Sequence, residues 1–584
     1  MSDIGLSRDQ EGNGLERSFA DFIQRLAGDQ GCPELFAAVS QLSRARSEGH
    51  ICLDLATVSG GMDVEKMSRL LLTTPVVGRP GEIFPLIIDG TYLYLHRYHQ
   101  AETKVADFIK ARHALEFQGF SLPDLRAALA EFFPGGDHHH PDWQQVAAMA
   151  ALTRKFTVIS GGPGTGKTTT VAKILAIYQE LHHGQDKVIR LAAPTGKAAA
   201  RLQESIQQAK AALPVSDKQR DELPRETVTL HRLLGLSRGR PRYDRHHPLG
   251  ADLVVIDEAS MVDLPLMAQL MDALPLECSL ILLGDHYQLA SVQPGAVLGD
   301  ICSRGEGFSA EFQALARDMA ITIGSPPPRH NTLADCIITL QRSYRFKETS
   351  GIRRLSAAVN KGQAEEALTV LADEGCSDVT MVDYGGHCEE LVKKELYPAF
   401  AGLGKARTKE EQLAVLGTFG VLCAHRQGPA GMESINEMLV KLMAGKASYG
   451  KPLYHGLPIM VATNSYELQL YNGDTGVING QDGRLFACFS NYGGLRQVSA
   501  RRLPLYNPAY AMTVHKSQGS EFERVVVILP AQSSRVLGRE LLYTALTRAR
   551  QSVEVWGNHE IFRQAVATPV LRVSGLARRL WGDS

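Results

Sequence analysis

The chain has 584 residues, a length that predicts three or four domains and excludes a single small module. Hydrophobic residues make up 44% and charged residues 21%, the balance of a folded globular protein, which excludes a disordered or collagen-like chain. The net charge of −1 hides an asymmetry: the first 150 residues carry 13 Lys/Arg against 20 Asp/Glu, leaving 49 against 43 in the remaining 434, so the front repels polyanions and the rest can attract them.

From Leu15 to about Phe133 the pattern is mostly helical, with Phe19, Phe22, Ile23 and Leu26 spaced as the apolar stripe of a packed helix. Within it, Ile83 to His96 forms two short apolar runs joined by Asp89-Gly90, a hairpin signal. The breaker-rich stretch Phe133 to Pro141 marks a domain joint, and its His138, His139 and His140 read as solvated loop residues rather than metal ligands. Strand-like and helix-like segments then alternate, as in parallel α/β sheets. The strands are expected at Phe156–Ser160, Val188–Ala192, Leu253–Ile256 and Leu280–Leu283, then at Gly420–Cys423, Val525–Leu529 and Ser552–Trp556. Two α/β cores in tandem follow, with Pro326-Pro327-Pro328 in a loop between them and a small all-β insertion within about 466–505.

No apolar run approaches the roughly eighteen residues of a membrane span, and Met1 to Gly12 is polar and acidic, so neither a membrane protein nor a secreted one is expected. Nine scattered cysteines without Cys-x-x-Cys spacing read as reduced thiols of a cytoplasmic protein.

The strongest chemical signal is Gly161-Gly162-Pro163-Gly164-Thr165-Gly166-Lys167-Thr168, followed by Thr169. Glycines at this spacing let backbone N–H groups wrap phosphate oxygens at a helix N-terminus. Lys167 then reaches the β- and γ-phosphates of ATP, and Thr168 holds Mg²⁺. Asp257 and Glu258 end an apolar strand; Asp257 suits the metal, and Glu258 suits the attacking water as a base. Gln288, past the strand ending at Leu283, can contact that water and the γ-phosphate. Arg345 and Arg548 are the candidate guanidiniums for charge developing on the transferred phosphoryl, both expected from the second core, which makes catalysis depend on closure.

This ordered set resembles the superfamily 1 DNA helicases, and in detail the RecD family, alpha subunits of the bacterial exonuclease V complex RecBCD. Nine blocks in family order support it over about residues 140–556, among them Asp142 to Ala147, Ile159 to Thr170, Ala193 to Ala199, Thr229 to Leu234, Gly284 to Gly295, Leu340 to Phe346, Thr513 to Phe522 and Tyr543 to Arg550. The resemblance implies two RecA-like cores, the first at 137–335 with a strand-separating pin near 236–250 and the second at 336–584 with an SH3-like insertion. It implies a partner-docking domain at 1–136. Gln144 would read adenine, and Thr195, His231, Asn472, Thr513, His515 and Lys516 would face single-stranded DNA. Arg238, Arg240, Arg242 and Arg245 sit at the pin. The implied activity is 5′-to-3′ ATP-dependent unwinding of double-stranded DNA ends in recombinational repair, with RecB and RecC as partners. A free-standing RecD-like helicase is the alternative. No nuclease signature is visible, so exonuclease activity would belong to the complex.

Overall fold

The computed structural model describes residues 14–582 except 60, 115–118, 135–140, 225, 237–240, 305–306, 325–330, 386, 449–452, 466, 482 and 492–493. The histidine run 138–140, the triple proline 326–328, and Arg238 and Arg240 therefore lie outside the described residues.

The N-terminal unit packs helices Gly14–Ala27 and Pro33–Ser47 on a four-stranded sheet. The expected hairpin is present: Leu86–Asp89 pairs antiparallel with Tyr92–Leu95, and Gly90 supplies the positive φ (+62°) that the turn requires. The first helix departs from its expected stripe. Ala20, Ile23 and Ala27 are buried, whereas Leu15, Phe22 and Leu26 are 78%, 53% and 52% exposed. Small Ala20 and Ala27 share the core with Ala38 of the second helix, so close approach selects the alanine line, and Phe22, about 100° around from Ile23, points out.

The first core is a six-stranded, wholly parallel sheet in the order Ile337–Leu340, Phe156–Gly161, Ser279–Gly284, Leu253–Ile256, Ile189–Ala193, Thr227–Thr229. Helices cover both faces, which is why its central strands read as unbroken apolar runs. Two boundaries move. Ile337–Leu340 pairs with Val158–Gly161, so the first core runs past 336 to Leu340. Helix Leu122–Phe132 buries Leu125, Leu129 and Phe132 in the same cluster as Val146 and Leu175, so that core begins before residue 136.

The second core is a five-stranded parallel sheet in the order Val379–Val382, Ala549–Trp556, Phe522–Ile528, Phe419–Cys423, Ala511–Thr513. Within it a five-stranded antiparallel sheet forms the β insertion. Its first and last strands in the chain, Pro458–Val461 and Tyr506–Pro508, pair with each other, so the insertion is wider than 466–505. The chain end does not stay with the second core as 336–584 implied. Helix Leu576–Trp581 buries Leu576 and Leu580 in one cluster with Tyr94 and Ile109 of the N-terminal unit, and Arg579 pairs with the fully buried Glu102 at 2.9 Å. None of the nine cysteines forms a disulfide. Among the described residues no helix is long and apolar enough to cross a membrane.

One buried ion pair ties the first core together. Arg154 Nη2 lies 2.9 Å from Asp335 Oδ2, both side chains wholly buried, and Ser309 donates to Asp335 through its N–H and its hydroxyl, each at 2.7 Å. Asp335→Ala strands the guanidinium without a counter-charge, which costs about 3–5 kcal/mol. Denaturant unfolding of the variant measures this; a loss below about 1 kcal/mol would contradict the assignment.

Candidate nucleotide and nucleic-acid site

The carboxyl ends of the first core's parallel strands form one edge, where ligands of open α/β sheets bind. Strand Phe156–Gly161 runs into the glycine loop, and helix Lys167–Leu181 leaves it. Gly164 and Gly166 have φ of +75° and +84°. A Cβ on Gly166 would meet the Gln144 amide at 2.3 Å, and one on Gly164 would meet the Arg345 Cβ at 2.3 Å. The glycines are therefore required by what presses on the loop as well as by its turn. Lys167 Nζ donates to the carbonyls of Gly161 (2.5 Å) and Gly162 (3.2 Å). Gln144, on helix Trp143–Thr153 with its N–H on the capping Asp142, donates its side-chain amide to Thr165 O at 3.2 Å. The exposed Tyr344 ring comes within 4 Å of where a Gly166 side chain would stand.

From strand Leu253–Ile256, on the far side of Ser279–Gly284 from the loop strand, come Asp257 and Glu258. Glu258 adopts a left-handed φ of +52°, a conformation that costs a non-glycine residue free energy and turns the chain sharply off the strand. Burial pushes the Asp257 carboxyl up, and the adjacent Glu258 adds to this, while Lys167 and Arg201 oppose it. Gln288 is buried and donates to Asp285 Oδ2 at 3.1 Å.

The second core closes on this edge directly. Tyr543 OH donates to the same Asp285 oxygen at 2.9 Å, Leu289 N donates to Thr544 Oγ1 at 2.8 Å, and Gln518 Nε2 donates to Leu289 O at 3.0 Å. Arg548, 3% exposed, donates to Thr544 O and Ser520 O. Burial pulls its pKa down, and the nearby Glu258 pulls it back up. Arg345 follows strand Ile337–Leu340 of the first sheet, so it enters the cleft from the connection between the cores rather than from the second core itself. Its Nη2 lies 2.6 Å from Glu521 Oε1, while its Nη1 is buried with no acceptor. The Lys167, Asp257, Glu258, Gln288, Arg345 and Arg548 side chains are thus gathered around one cleft.

Glu521, quoted in the sequence but given no role there, is the missed residue. Arg201 and Arg345 pair with its Oε1 and Arg550 with its Oε2. Burial alone would raise its pKa; the Arg201 and Arg345 charges override this and hold it at about 2. No spacing signal marks it, because its partners come from distant segments.

The candidate DNA residues occupy the neighbouring strand ends. Thr195 caps helix Gly196–Ala211, accepting from Ala198 N, and exposed His231 follows strand Thr227–Thr229, which pairs with the strand leading to Thr195. Thr513, His515 and Lys516 leave strand Ala511–Thr513, and Lys516 Nζ donates to Asn472 Oδ1 at 2.8 Å. The β insertion joins here through Tyr471, whose ring lies against Gly196. Lys197, between Asp474 and Ser520, donates to Ser520 Oγ at 2.6 Å; burial lowers its pKa to about 8. Four of the six candidates therefore meet where Asn472 of the insertion faces the loop of Thr513, His515 and Lys516, and Thr195 and His231 follow adjacent strands of the opposite core.

The Asp257 environment carries a pH test. An isolated aspartate titrates near 3.8, and in the fold the proton is held more tightly, so ionisation destabilises the nucleotide-free protein as pH rises above that value. Asp257→Asn should therefore raise the unfolding temperature of the nucleotide-free chain at pH 7.5, with the gain shrinking as pH falls toward about 4. A pH-independent effect would contradict the burial argument.

Three family models match: an AAA domain over residues 144–294, a UvrD-like helicase C-terminal domain over 508–555, and the N-terminal domain of the RecBCD enzyme subunit RecD over 13–66. The RecBCD enzyme subunit RecD of Haemophilus influenzae is 36% identical over 537 residues, 85% of this chain and 82% of that one. The protein of the same name from Mycolicibacterium smegmatis is 36% identical over 590 residues, 97% of each chain. Among solved structures, Pif1 helicases at forked double-stranded DNA align over 72% of this chain and 94% of theirs, with 18% identity and a TM-score of 0.40. At 36% identity across nearly the whole of both chains, this chain belongs to the RecD family of RecBCD enzyme subunits.

Proposed function

We propose that this chain is the ATP-driven motor subunit of a RecBCD-type helicase-nuclease. It is an ATP-dependent DNA helicase built on two RecA-like cores. The observation that carries the mechanism is the convergence of Arg345 and Arg548 on the cleft holding Lys167, Asp257 and Glu258. Gly161 to Thr169 would cradle the phosphates through backbone N–H groups, with Lys167 turning from the Gly161 and Gly162 carbonyls to the β- and γ-phosphate oxygens. Gln144 would hold the adenine edge, and the Tyr344 face lies beside it.

The residues fit Mg²⁺. Asp257 is a carboxylate whose proton affinity is raised first by desolvation and then by the adjacent Glu258, an acid pair that a divalent cation would neutralise, and Thr168 begins the helix next to Lys167. When bound there, Mg²⁺ neutralises charge on the β- and γ-oxygens. Glu258 orients the attacking water and accepts its proton, and Gln288 holds that water toward the γ-phosphate. The unpaired Arg345 Nη1 is aimed for an anion, and Arg345 and Arg548 together stabilise the charge that develops as the bond breaks.

Thr195 and His231 on one core, and Thr513, His515, Lys516 and Asn472 on the other, form the walls for single-stranded DNA, gripping phosphates without reading sequence. Alternate opening and closing of the cleft moves one wall past the other, in the 5′-to-3′ direction on the family reading, with the SH3-like insertion beside the path through Asn472. The exposed stripe Leu15, Phe22 and Leu26 lies on an acidic unit unsuited to DNA. It supports docking to a protein partner, RecC, in a heterotrimer with RecB acting on double-stranded DNA ends in the cytoplasm.

Lys167→Ala should abolish ATP turnover stimulated by single-stranded DNA; turnover at the parent rate would remove the phosphate-loop assignment. Arg548→Ala should slow turnover by about 10³-fold or more while leaving nucleotide affinity within a few-fold. Equal loss of binding and turnover, measured by nucleotide titration and steady-state hydrolysis, would contradict a transition-state role.

A further inference from the structure

Past helix His559–Ala567 the chain leaves the second core and crosses to the first core and the N-terminal unit before helix Leu576–Trp581. This connection is stitched down by polar contacts. Val573 accepts from Ile51 N at 2.9 Å and donates to His50 Nδ1 at 2.8 Å. Ser574 donates to Asp300 at 2.7 Å, and Gly575 N donates to Glu102 at 3.0 Å. Its other arginines end on acids: Arg578 on Asp89 at 3.2 Å, and Arg579 on Glu102 at 2.9 Å.

Arg572 differs. Its Nη1 donates to the carbonyls of Gln293 (3.0 Å) and Gly295 (2.8 Å), its Nε is buried without an acceptor, and among the described residues no carboxylate lies within ion-pair distance of it. The guanidinium lies on the backbone at Gly49, where a Cβ would stand 3.2 Å from its Nε. Burial lowers its pKa with no acidic group opposing. The titratable neighbours it reaches are His50 and His515; burial lowers both and the Arg572 charge adds to this, while at His50 the Glu48 carboxylate, 4.0 Å from its Nε2, opposes it. The nearest acid, Glu48, is spent on Arg44, His50 and Arg535, so a half-buried guanidinium held by two carbonyls is an unbalanced charge, which the fold holds at a cost unless an anion joins it.

The surroundings say which anion. Gln293 adjoins Val292, 77% exposed at the tip of the loop that leaves Gln288. His515 adjoins Lys516, whose pKa is lowered by burial and then by the charge of Arg426. Gln518 Nε2, donating to Leu289 O at 3.0 Å, ties the loop of His515 and Lys516 to the loop whose carbonyls hold Arg572, so basic side chains stand along two joined loops, an arrangement suited to a chain of phosphates. We propose that Arg572 is a further contact of this protein to a phosphodiester of the threaded single strand, made where the N-terminal unit, the loop Ser291–Gly295 and His515 meet. The proposal rests on the reading of Thr513 to Lys516 as channel wall. A strand phosphate at this point bears on all three units at once, since the same guanidinium holds two carbonyls of the first core and lies on the backbone of the N-terminal unit.

The test compares the full-length parent, Arg572→Gln and Arg572→Lys for binding a fluorescent oligothymidylate across a salt series, with unfolding temperatures measured alongside. Arg572→Gln keeps an amide for the two carbonyls but removes the charge. It should lower the slope of log affinity against log salt by about 0.7, the value for one phosphate contact on a single strand. Arg572→Lys should keep the parent slope. A steep parent slope left unchanged by Arg572→Gln overturns this proposal alone and assigns Arg572 a purely structural role. A flat parent slope overturns the channel reading and this proposal with it. Should the variants not fold, mass-spectrometric mapping of arginine-selective dicarbonyl labelling in the parent decides: oligothymidylate should protect Arg572, and equal labelling with and without it overturns the contact.

Discussion

A single carboxylate, Glu521, sits where three guanidiniums from separate stretches of the chain converge: Arg201 from the first core, Arg345 from the connection between cores, and Arg550 from the second core. Three positive charges packed around a cleft would repel one another and hold it open. One buried acid with two oxygens, kept ionised by those same charges, lets them share a space. The other seam bonds, among them Tyr543 to Asp285, Leu289 to Thr544, Gln518 to Leu289 and Lys197 to Ser520, are neutral or singly charged. The balance of charge at Glu521 therefore decides how closely the second core approaches the phosphate loop. On the proposed mechanism, a triphosphate arriving beside Lys167 would bring competing negative charge to Arg345, and its loss would return Arg345 to Glu521. This is a differential interaction with two arrangements of the cores, the condition for a ligand to shift a conformational equilibrium.

The route from this cleft to the DNA path is short. Strand Ala511–Thr513 and strand Phe522–Ile528 are parallel members of one sheet, on either side of Phe419–Cys423. The eight residues between them must travel from the carboxyl end of one to the amino end of the other. The first part of this crossing presents His515 and Lys516, and its end delivers Ser520 and Glu521 to Lys197, Arg201 and Arg345. A rearrangement at Glu521 therefore bears on the proposed channel wall, which the short helix Val514–Ser517 of the same crossing carries.

Much of this was legible in the sequence. Strands buried on both faces read as apolar runs, so seven were placed within a few residues, and the phosphate loop, acid pair and both arginines stood out as candidates because each chemistry calls for particular residue types. What escaped was set by partners that local sequence does not name. Strand Ile337–Leu340 is apolar in either core, and only its pairing with Val158–Gly161 assigns it. Phe22 and Leu26 fit a core stripe until the alanine line of the neighbouring helix claims the other face. Nothing in Arg578-Arg579 announces that Asp89 and Glu102, far away in the N-terminal unit, will take them. Short strands such as Val379–Val382 and Ala511–Thr513 carry too few residues to show a period.

The central claim is that bound nucleotide and the Glu521 junction control the separation of the two sheets. Pulsed electron resonance between spin labels on helix Gly196–Ala211 and helix His559–Ala567 measures that separation directly. The account predicts that a non-hydrolysable ATP analogue changes the distance distribution of the full chain and that Glu521→Gln removes or markedly reduces the change. Identical distributions with and without the analogue, or a full response in Glu521→Gln, would contradict it.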